Sequence, residues 1–453
     1  MSFRVGGVRV GGVRFGRDIW LAIVARAVSL LGDELAAVVL VLRLQEDGAG
    51  SWAVSFLLIA GMAPLVLAAP LVGRLADGYD SRLLLVTSSV LQSALCAVLA
   101  FTDGLGPCLS MIAAIGVGQA INGTTWQALL PTLAGPERLP RALAATTTAT
   151  TAAGVLAPAL AGGLHELTGP RVPLLLDAGT FLVIGAAALL IRVHRRPERR
   201  PAGEKQRGGL AIVRADAVLR PAYVLLAAFI TLGAGVNVVE VFLVRETLHA
   251  SAGWYGAIGG TWALGMVVGS MLAGRLKAPP TFARTLVIAS GALSAGLAGY
   301  AVAPAVGWIL PFAVLGGIGN GLCNVCAGAL IAIRTPEAVR GRVGAVTNAI
   351  ASGSQTGAYL LGGLAAGVLA PRAIFLLAGG LGLAAVATFG PALVRASGGD
   401  RGNLVEEAGD ELDPAVGPGD EHVEADHHGF PAGRPEPPLE ADDAVVGVGD
   451  ADR

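Results

Sequence analysis

Arg26, Asp33 and Glu34 lie within one stretch, Ile19 to Leu42, whose other residues are almost all apolar. An ionised side chain placed in hydrocarbon costs on the order of 3 kcal/mol on insertion scales, so such a group is retained where it meets a partner or a wet cavity. A carboxylate in that setting can take up and release a proton, which is the chemistry needed to couple proton movement to another event. The alternative is a structural charge buried between helices. Arg26 and Asp33 are two helical turns apart on one face, roughly 10 Å at 1.5 Å per residue. They can bracket a polar pocket, but they cannot pair directly along the helix. Asp33 and Glu34 diverge by about 100° around the helix, so one is expected to face a cavity and the other a neighbouring helix. A second polar pair, Asn237 and Glu240, shares a helix face at three-residue spacing. Glu240 is close to the end of its apolar run, where hydration is the expected fate.

The elements that must position these groups follow from composition. The 453 residues are 54% hydrophobic and 14% charged, with a mean hydropathy of +0.66. Such a chain is too apolar for a soluble globular protein. Twelve continuous apolar runs are long enough to cross a roughly 30 Å hydrocarbon core as helices. They fall at 19–42, 52–72, 83–101, 109–128, 142–164 and 172–191, then at 222–244, 254–272, 285–303, 307–330, 343–369 and 373–393. Continuous rather than alternating hydrophobicity selects helices over barrel strands. The 65 glycines suit close helix packing in lipid.

Basic residues segregate to one set of connections. Arg17, Arg74, Arg82, Arg138, Arg141, Arg275, Lys277, Arg284, Arg334 and Arg340 lie on one side, whereas Arg43, Arg171, Arg245 and Arg372 stand singly on the other. The basic side is expected in the cytoplasm, with both termini. The scheme gives a cytoplasmic N-terminal segment (1–18), a six-helix half (19–191), a basic linker (192–220), a second six-helix half (221–395) and a disordered acidic tail (396–453). Residues 192–220 carry nine Lys or Arg, and a short amphipathic surface helix is expected over Leu210 to Leu219. From residue 401 onward fifteen acids face three arginines, the composition of a disordered tail. Two lysines, Lys205 and Lys277, among 32 basic residues suggest a high-GC bacterial source, hence the inner membrane.

The halves also repeat. An offset of 201 residues places Leu71-Val-Gly-Arg-Leu75 over Leu272-Ala-Gly-Arg-Leu276, and Gly116-Val-Gly-Gln119 over Gly317-Ile-Gly-Asn320. At an offset of 200, Pro136-Glu137 meets Pro336-Glu337 and Gly162-Gly163 meets Gly362-Gly363. Parallel halves of this kind enclose a cavity near the bilayer midplane. No phosphate-binding loop ending in Lys-Ser or Lys-Thr is present, so intrinsic ATP-driven pumping is not indicated. The run Gly316-Gly-Ile-Gly-Asn-Gly321 sits in an apolar helix and is explained by packing. Cys96, Cys108, Cys323 and Cys326 lie in or beside apolar runs and indicate neither a disulfide nor a zinc site. His422, His427 and His428 sit in the tail with no fold to hold them as ligands. No metal, cofactor, catalytic activity or nucleic-acid partner is expected.

Between the second and third runs stands Gly73-Arg-Leu-Ala-Asp77-Gly-Tyr-Asp80-Ser-Arg82. It resembles the signature loop of the major facilitator superfamily, a glycine followed by an aspartate and then a basic cluster. Asp80 stands where glycine is usual, and the second copy, Gly274-Arg-Leu-Lys277, lacks the acid. The resemblance implies that Gly73, Asp77 and Arg82 form a cytoplasmic gating loop that latches the halves. In the fifth run, Gly154-Val-Leu-Ala-Pro158-Ala-Leu-Ala-Gly162-Gly163 resembles a motif of proton-coupled exporters in that superfamily, with Ala157 in place of a glycine; small-residue packing explains the pattern equally well. The arginine such antiporters often carry in the fourth run is absent from Leu109 to Ala128. The resemblance covers roughly Arg17 to Arg395. It implies an all-α polytopic membrane protein with twelve spans around a central cavity. It also implies export of a drug or secreted metabolite against protons by a monomer in the lipid bilayer. An importer, or a transporter-like sensor, is the alternative.

Overall fold

A computed structural model describes residues 9–10, 13–14, 16–192, 209–276, 279–335 and 339–410, and within them the chain is almost entirely helical. The one departure is a two-residue antiparallel pairing of β1 (Arg9–Val10) with β2 (Val13–Arg14). Helix α1 (Arg17–Glu46) is followed by α2 (Ser51–Leu67) and α3 (Ala69–Gly78). The second expected span is thus two helices. Pro64 removes a backbone donor within α2 and a proline opens α3, so the chain breaks at Ala68.

Helix α4 (Ser81–Leu99) starts at Asp80, whose carboxylate accepts the Arg82 backbone N–H at 2.8 Å. That N-cap accounts for aspartate where the family loop has glycine. Helix α5 (Leu105–Thr168) holds two membrane-length segments, Leu105–Gly135 and Glu137–Thr168. They are divided at Gly135, whose φ of 69° favours glycine. Ala134 and Ala142, on either side of this break, both pack against Ile19 and Ile23 of α1.

The remaining helices are α6 (Arg171–Leu190), α7 (Gly209–Ala215), α8 (Leu219–Phe242), α9 (Ala252–Ala273), α10 (Pro279–Val302), α11 (Ile309–Arg334), α12 (Arg340–Ala366) and α13 (Pro371–Asp410). A π-turn, Leu243–Thr247, extends α8. Short α7 occupies the place expected for a surface helix, and Asp216 caps α8 by accepting the N–H groups of Val218 and Leu219. Helix α13 runs past Arg395, where the last membrane half was expected to end. Leu404 to Ala408 are good helix formers, and the next proline is Pro414. The linker residues 193–208, Pro336-Glu337 and the tail from residue 411 lie outside the described residues.

Among the described residues, nine helical segments are long and apolar enough to cross a membrane. Helices also occupy the other expected ranges but fall short of that standard for evident reasons. Helix α1 carries Arg26, Asp33 and Glu34, α2 has 17 residues, and α12 is rich in Gly, Ser, Thr and Asn. Large apolar side chains such as Ile288 and Met271 remain on the outer surface, as lipid contact requires.

Close helix approaches recur along the chain. A methyl group on Gly116 would strike Gly61 and Pro64, and one on Gly317 would strike Trp262 and Gly265. Gly118 abuts Gln92 where Gly319 abuts Leu293, and Gly162 abuts Gly256 where Gly363 abuts Ser55. Every residue in each first pair is related to its counterpart by the same offset of 201.

Candidate functional site

A cavity of about 670 Å³ opens between helices α1, α2, α4, α5, α6, α8, α9, α10, α12 and α13. Asp33, Glu34, Asn237, Glu240, Gly154 and Pro158 line it. Both acids of α1 therefore face the cavity, contrary to the expectation that only one would. The cavity wraps around the helix far enough to touch Ala36, Ala37, Val38, Leu40 and Val41 as well, an arc that spans the divergence between adjacent positions. Glu240 also departs from expectation. It is half-buried and lines the cavity, as Tyr255 and Tyr300 do, instead of meeting an aqueous helix end. Those tyrosines come from α9 and α10, which a single-helix reading cannot supply.

Asp33 meets chemistry that the sequence reading passed over. Asp177 of α6, 3% exposed, lines the same cavity and acts electrostatically on Asp33, as does Arg26 with the opposite sign. The two carboxylates can come together because Gly32 has no side chain: a methyl there would strike Asp177 Oδ1 and Thr180. Cys96 donates its thiol to Asp177 Oδ2 at 3.3 Å, and the Thr180 hydroxyl donates to Oδ1 at 3.0 Å. Gln119 reaches Asp33, while Asp33 Oδ1 is a buried oxygen without a hydrogen-bond partner. Asp177 is the lone ionisable residue between Val172 and Ile191, so the rule that singles out Asp33 applies to it equally. Arg26 itself is half-buried and does not line the cavity.

Uncharged polar residues divide in two groups. Gln355 lines the cavity and donates to the Tyr359 hydroxyl at 2.9 Å. Gln92, Asn122 and Ser88 instead bind one another, with Asn122 Nδ2 donating to Gln92 Oε1 and Ser88 Oγ to Asn122 Oδ1, both at 2.6 Å. That buried chain fastens α4 to α5.

The motif residues separate as well. Gly162 forms the contact of α5 with Gly256 of α9, whereas Gly163 and Gly73 have open space where a methyl would go. Arg82 donates to the Ile191 carbonyl at 2.6 Å, which ties the start of α4 to the end of α6. Asp77 is in the last turn of α3, and its side chain lies outside the described residues.

A polar belt at the opposite end of the helices from Arg82 joins the first and last groups of helices. Gln45 Nε2 donates to Glu246 Oε1 at 3.2 Å, and Arg245 donates to Gln45 Oε1 at 3.3 Å and to Glu46 Oε1 at 3.1 Å. The buried His165 ring lies 2.9 Å from Glu46 Oε2. Glu166 accepts the Ser251 hydroxyl at 2.9 Å and the Gly253 N–H at 2.7 Å, capping the start of α9. The π-turn carries Arg245 into this belt. Among the described residues no group of three or more His, Cys, Asp or Glu is arranged to hold a metal ion.

A family model described as Major Facilitator Superfamily matches residues 22–355. No curated protein sequence matches the chain significantly. Solved structures do. A POT family transporter in complex with a thioalcohol-conjugated peptide superposes with a TM-score of 0.65 at 12% identity, covering 85% of this chain and 98% of that one. A bacterial homologue of the iron transporter ferroportin, in an inward-facing state, gives 0.65 at 16% identity over 84% and 98% of the two chains. The nucleoside transporter NupG gives 0.62 at 11% identity over 83% and 99%. At these identities the likeness is one of fold.

Proposed function

The chain belongs to the major facilitator superfamily of membrane transporters, and from that premise we propose that it exports a small molecule in exchange for protons. The observation that carries this reading is the cavity itself, about 670 Å³ and lined by Asp33, Glu34, Asp177 and Glu240. Its volume falls within the roughly 300–1,000 Å³ of small-molecule sites. Its carboxylates are the groups that proton exchange needs.

In this reading the chain crosses a bacterial inner membrane twelve times as two six-helix halves, with both termini cytoplasmic. The recurrence of helix contacts at an offset of 201 and the one-sided distribution of arginine support it. The belt of Gln45, Glu46, Arg245 and Glu246 then lies at the outer face and closes the cavity from outside. Transport requires that belt to part. A proton entering from outside neutralises Asp33 or its neighbour Asp177, which weakens the hold on bound substrate and favours its release outward. The halves then rock back, the belt re-forms, and the proton leaves to the cytoplasm. Gly73, Asp77 and Arg82 form the loop that latches the cytoplasmic face during the outward-open phase.

The test is efflux from loaded cells of a panel of fluorescent dyes of either charge, with and without a proton uncoupler, for wild type and for Asp33→Asn with Glu34→Gln. Uncoupler-sensitive efflux that the double substitution reduces at least about tenfold is the expected result, on the scale of one lost charge interaction. Efflux indifferent to the uncoupler and to both substitutions would sink the coupling assignment. Accumulation of a probe in place of its loss would reverse the direction.

A further inference from the structure

The chemistry of the cavity wall restricts what can be carried. Four carboxylates line the cavity, and no Lys, Arg or His does among the described residues. Arg26 offsets one of them from outside the lining, beside Asp33. Glu240, on the opposite group of helices, has no such offset: among the described residues its carboxylate makes no hydrogen bond or ion pair. A carboxylate half-buried in apolar surroundings is stabilised by a cationic partner, and no lining residue of this cavity supplies one among the described residues.

The groups around Glu240 suit a particular kind of partner. Tyr255 and Tyr300 line the same cavity, and Trp262 and Phe375 add to its aromatic wall. Tyr300 is only 2% exposed, stacks on Phe375 with ring centroids 5.0 Å apart, and borders the cavity. Aromatic faces with a nearby carboxylate attract cationic ammonium or phosphonium centres through the ring quadrupole. An anion placed here would meet four carboxylates and no cationic side chain among the described lining residues.

We propose that Glu240, with Tyr255 and Tyr300, forms the subsite for the charged centre of an organic cation with an apolar or aromatic body. This rests on the reading of the cavity as the transport site and names the class of substrate it takes. The asymmetry between the helix groups gives the two acidic centres different work. Asp33 and Asp177, paired with each other and offset by Arg26, handle protons, while Glu240 binds cargo.

Two probes of nearly identical shape and opposite charge, tetraphenylphosphonium and tetraphenylborate, separate charge selection from hydrophobic partition. Binding to the purified full chain in detergent is followed by calorimetry. The wild type is expected to bind the phosphonium and not the borate, and Glu240→Gln to weaken phosphonium binding roughly thirty-fold or more, as loss of a buried charge partner does. Tyr300→Phe keeps the ring stack and removes only the hydroxyl; it is expected to weaken phosphonium binding less than Glu240→Gln does, and an equal loss in the two variants would overturn the assignment of the charge to Glu240. Equal binding of both probes, binding of neither, or unchanged phosphonium affinity in Glu240→Gln overturns the proposal. Should Glu240→Gln not fold, the wild-type comparison of the two probes still decides it. Phosphonium binding without uncoupler-sensitive transport would instead overturn the exporter reading alone. Coupled export of an anion, with no phosphonium binding, would overturn this one alone.

Discussion

Asp33 and Asp177 approach each other because Gly32 leaves room between α1 and α6, and that single absent methyl sets the geometry of the acidic centre. Gly32→Ala is expected to force the helices apart and destabilise the protein by about 1–3 kcal/mol, the usual cost of overpacking. Thermal unfolding of the detergent-purified variant measures this, and an unchanged melting temperature would mean that the α1 and α6 contact is slack. Asp177→Asn keeps the shape of the side chain and its place beside Cys96 and Thr180 while removing the charge. It should abolish uncoupler-sensitive transport as fully as Asp33→Asn does, with little loss of folded protein. Wild-type pH dependence of transport in Asp177→Asn would remove it from the proton path. Asp33 was legible as an acid in an apolar run, and Asp177 is legible by the same rule. The surroundings of Glu240 were not, because Tyr255 and Tyr300 reach it from α9 and α10.

At the scale of elements, the crossing of α5 with α9 depends on glycine at one position and not at its neighbour. Gly162→Ala would drive a methyl into the backbone of Ala252 and Gly256, whereas Gly163→Ala meets nothing within 4 Å. The first is expected to destabilise the protein by about 1–3 kcal/mol and to lower transport. The second should be neutral or stabilise by up to about 1 kcal/mol through helix propensity. Parallel melting curves of the two variants check this, and equal losses in both would show that the motif acts by something other than packing at Gly162. The same crossing recurs where α12 meets α2, through Gly363 and Ser55. The paired glycines were visible in the sequence as a repeat. That Gly162 alone bears a contact in the first pair, whereas Gly362 and Gly363 both do in the second, depends on the rotation of each helix against its partners, and only long-range packing sets that.

For the whole molecule, the belt joining Gln45 to Glu246 is the contact that the proposed rocking cycle would have to break. These two residues are themselves related by the offset of 201, which brings them together at the junction of the two groups of helices. Cysteines placed at both positions and bridged by a short thiol-reactive crosslinker should lower transport more than about tenfold, with recovery when a cleavable bridge is reduced. The native cysteines Cys96, Cys108, Cys323 and Cys326 are buried and compete poorly for the reagent. Undiminished transport by the bridged protein would mean that the belt stays closed throughout the cycle. The apolar helical character of the chain, the approximate places of its long helices and the family loop were determined by the sequence alone. Hydropathy and charge placement act locally against the bilayer, and each helix satisfies its own backbone there without help from its neighbours. Only the tertiary structure decided that Asp33 meets Asp177, that Asp33 and Glu34 share one cavity, that Glu240 is walled by tyrosines, and that the polar belt lies opposite Arg82. Those pairings unite residues far apart in the chain. They depend on crossing angles and rotations fixed jointly by many helix contacts, and no single stretch of residues encodes them.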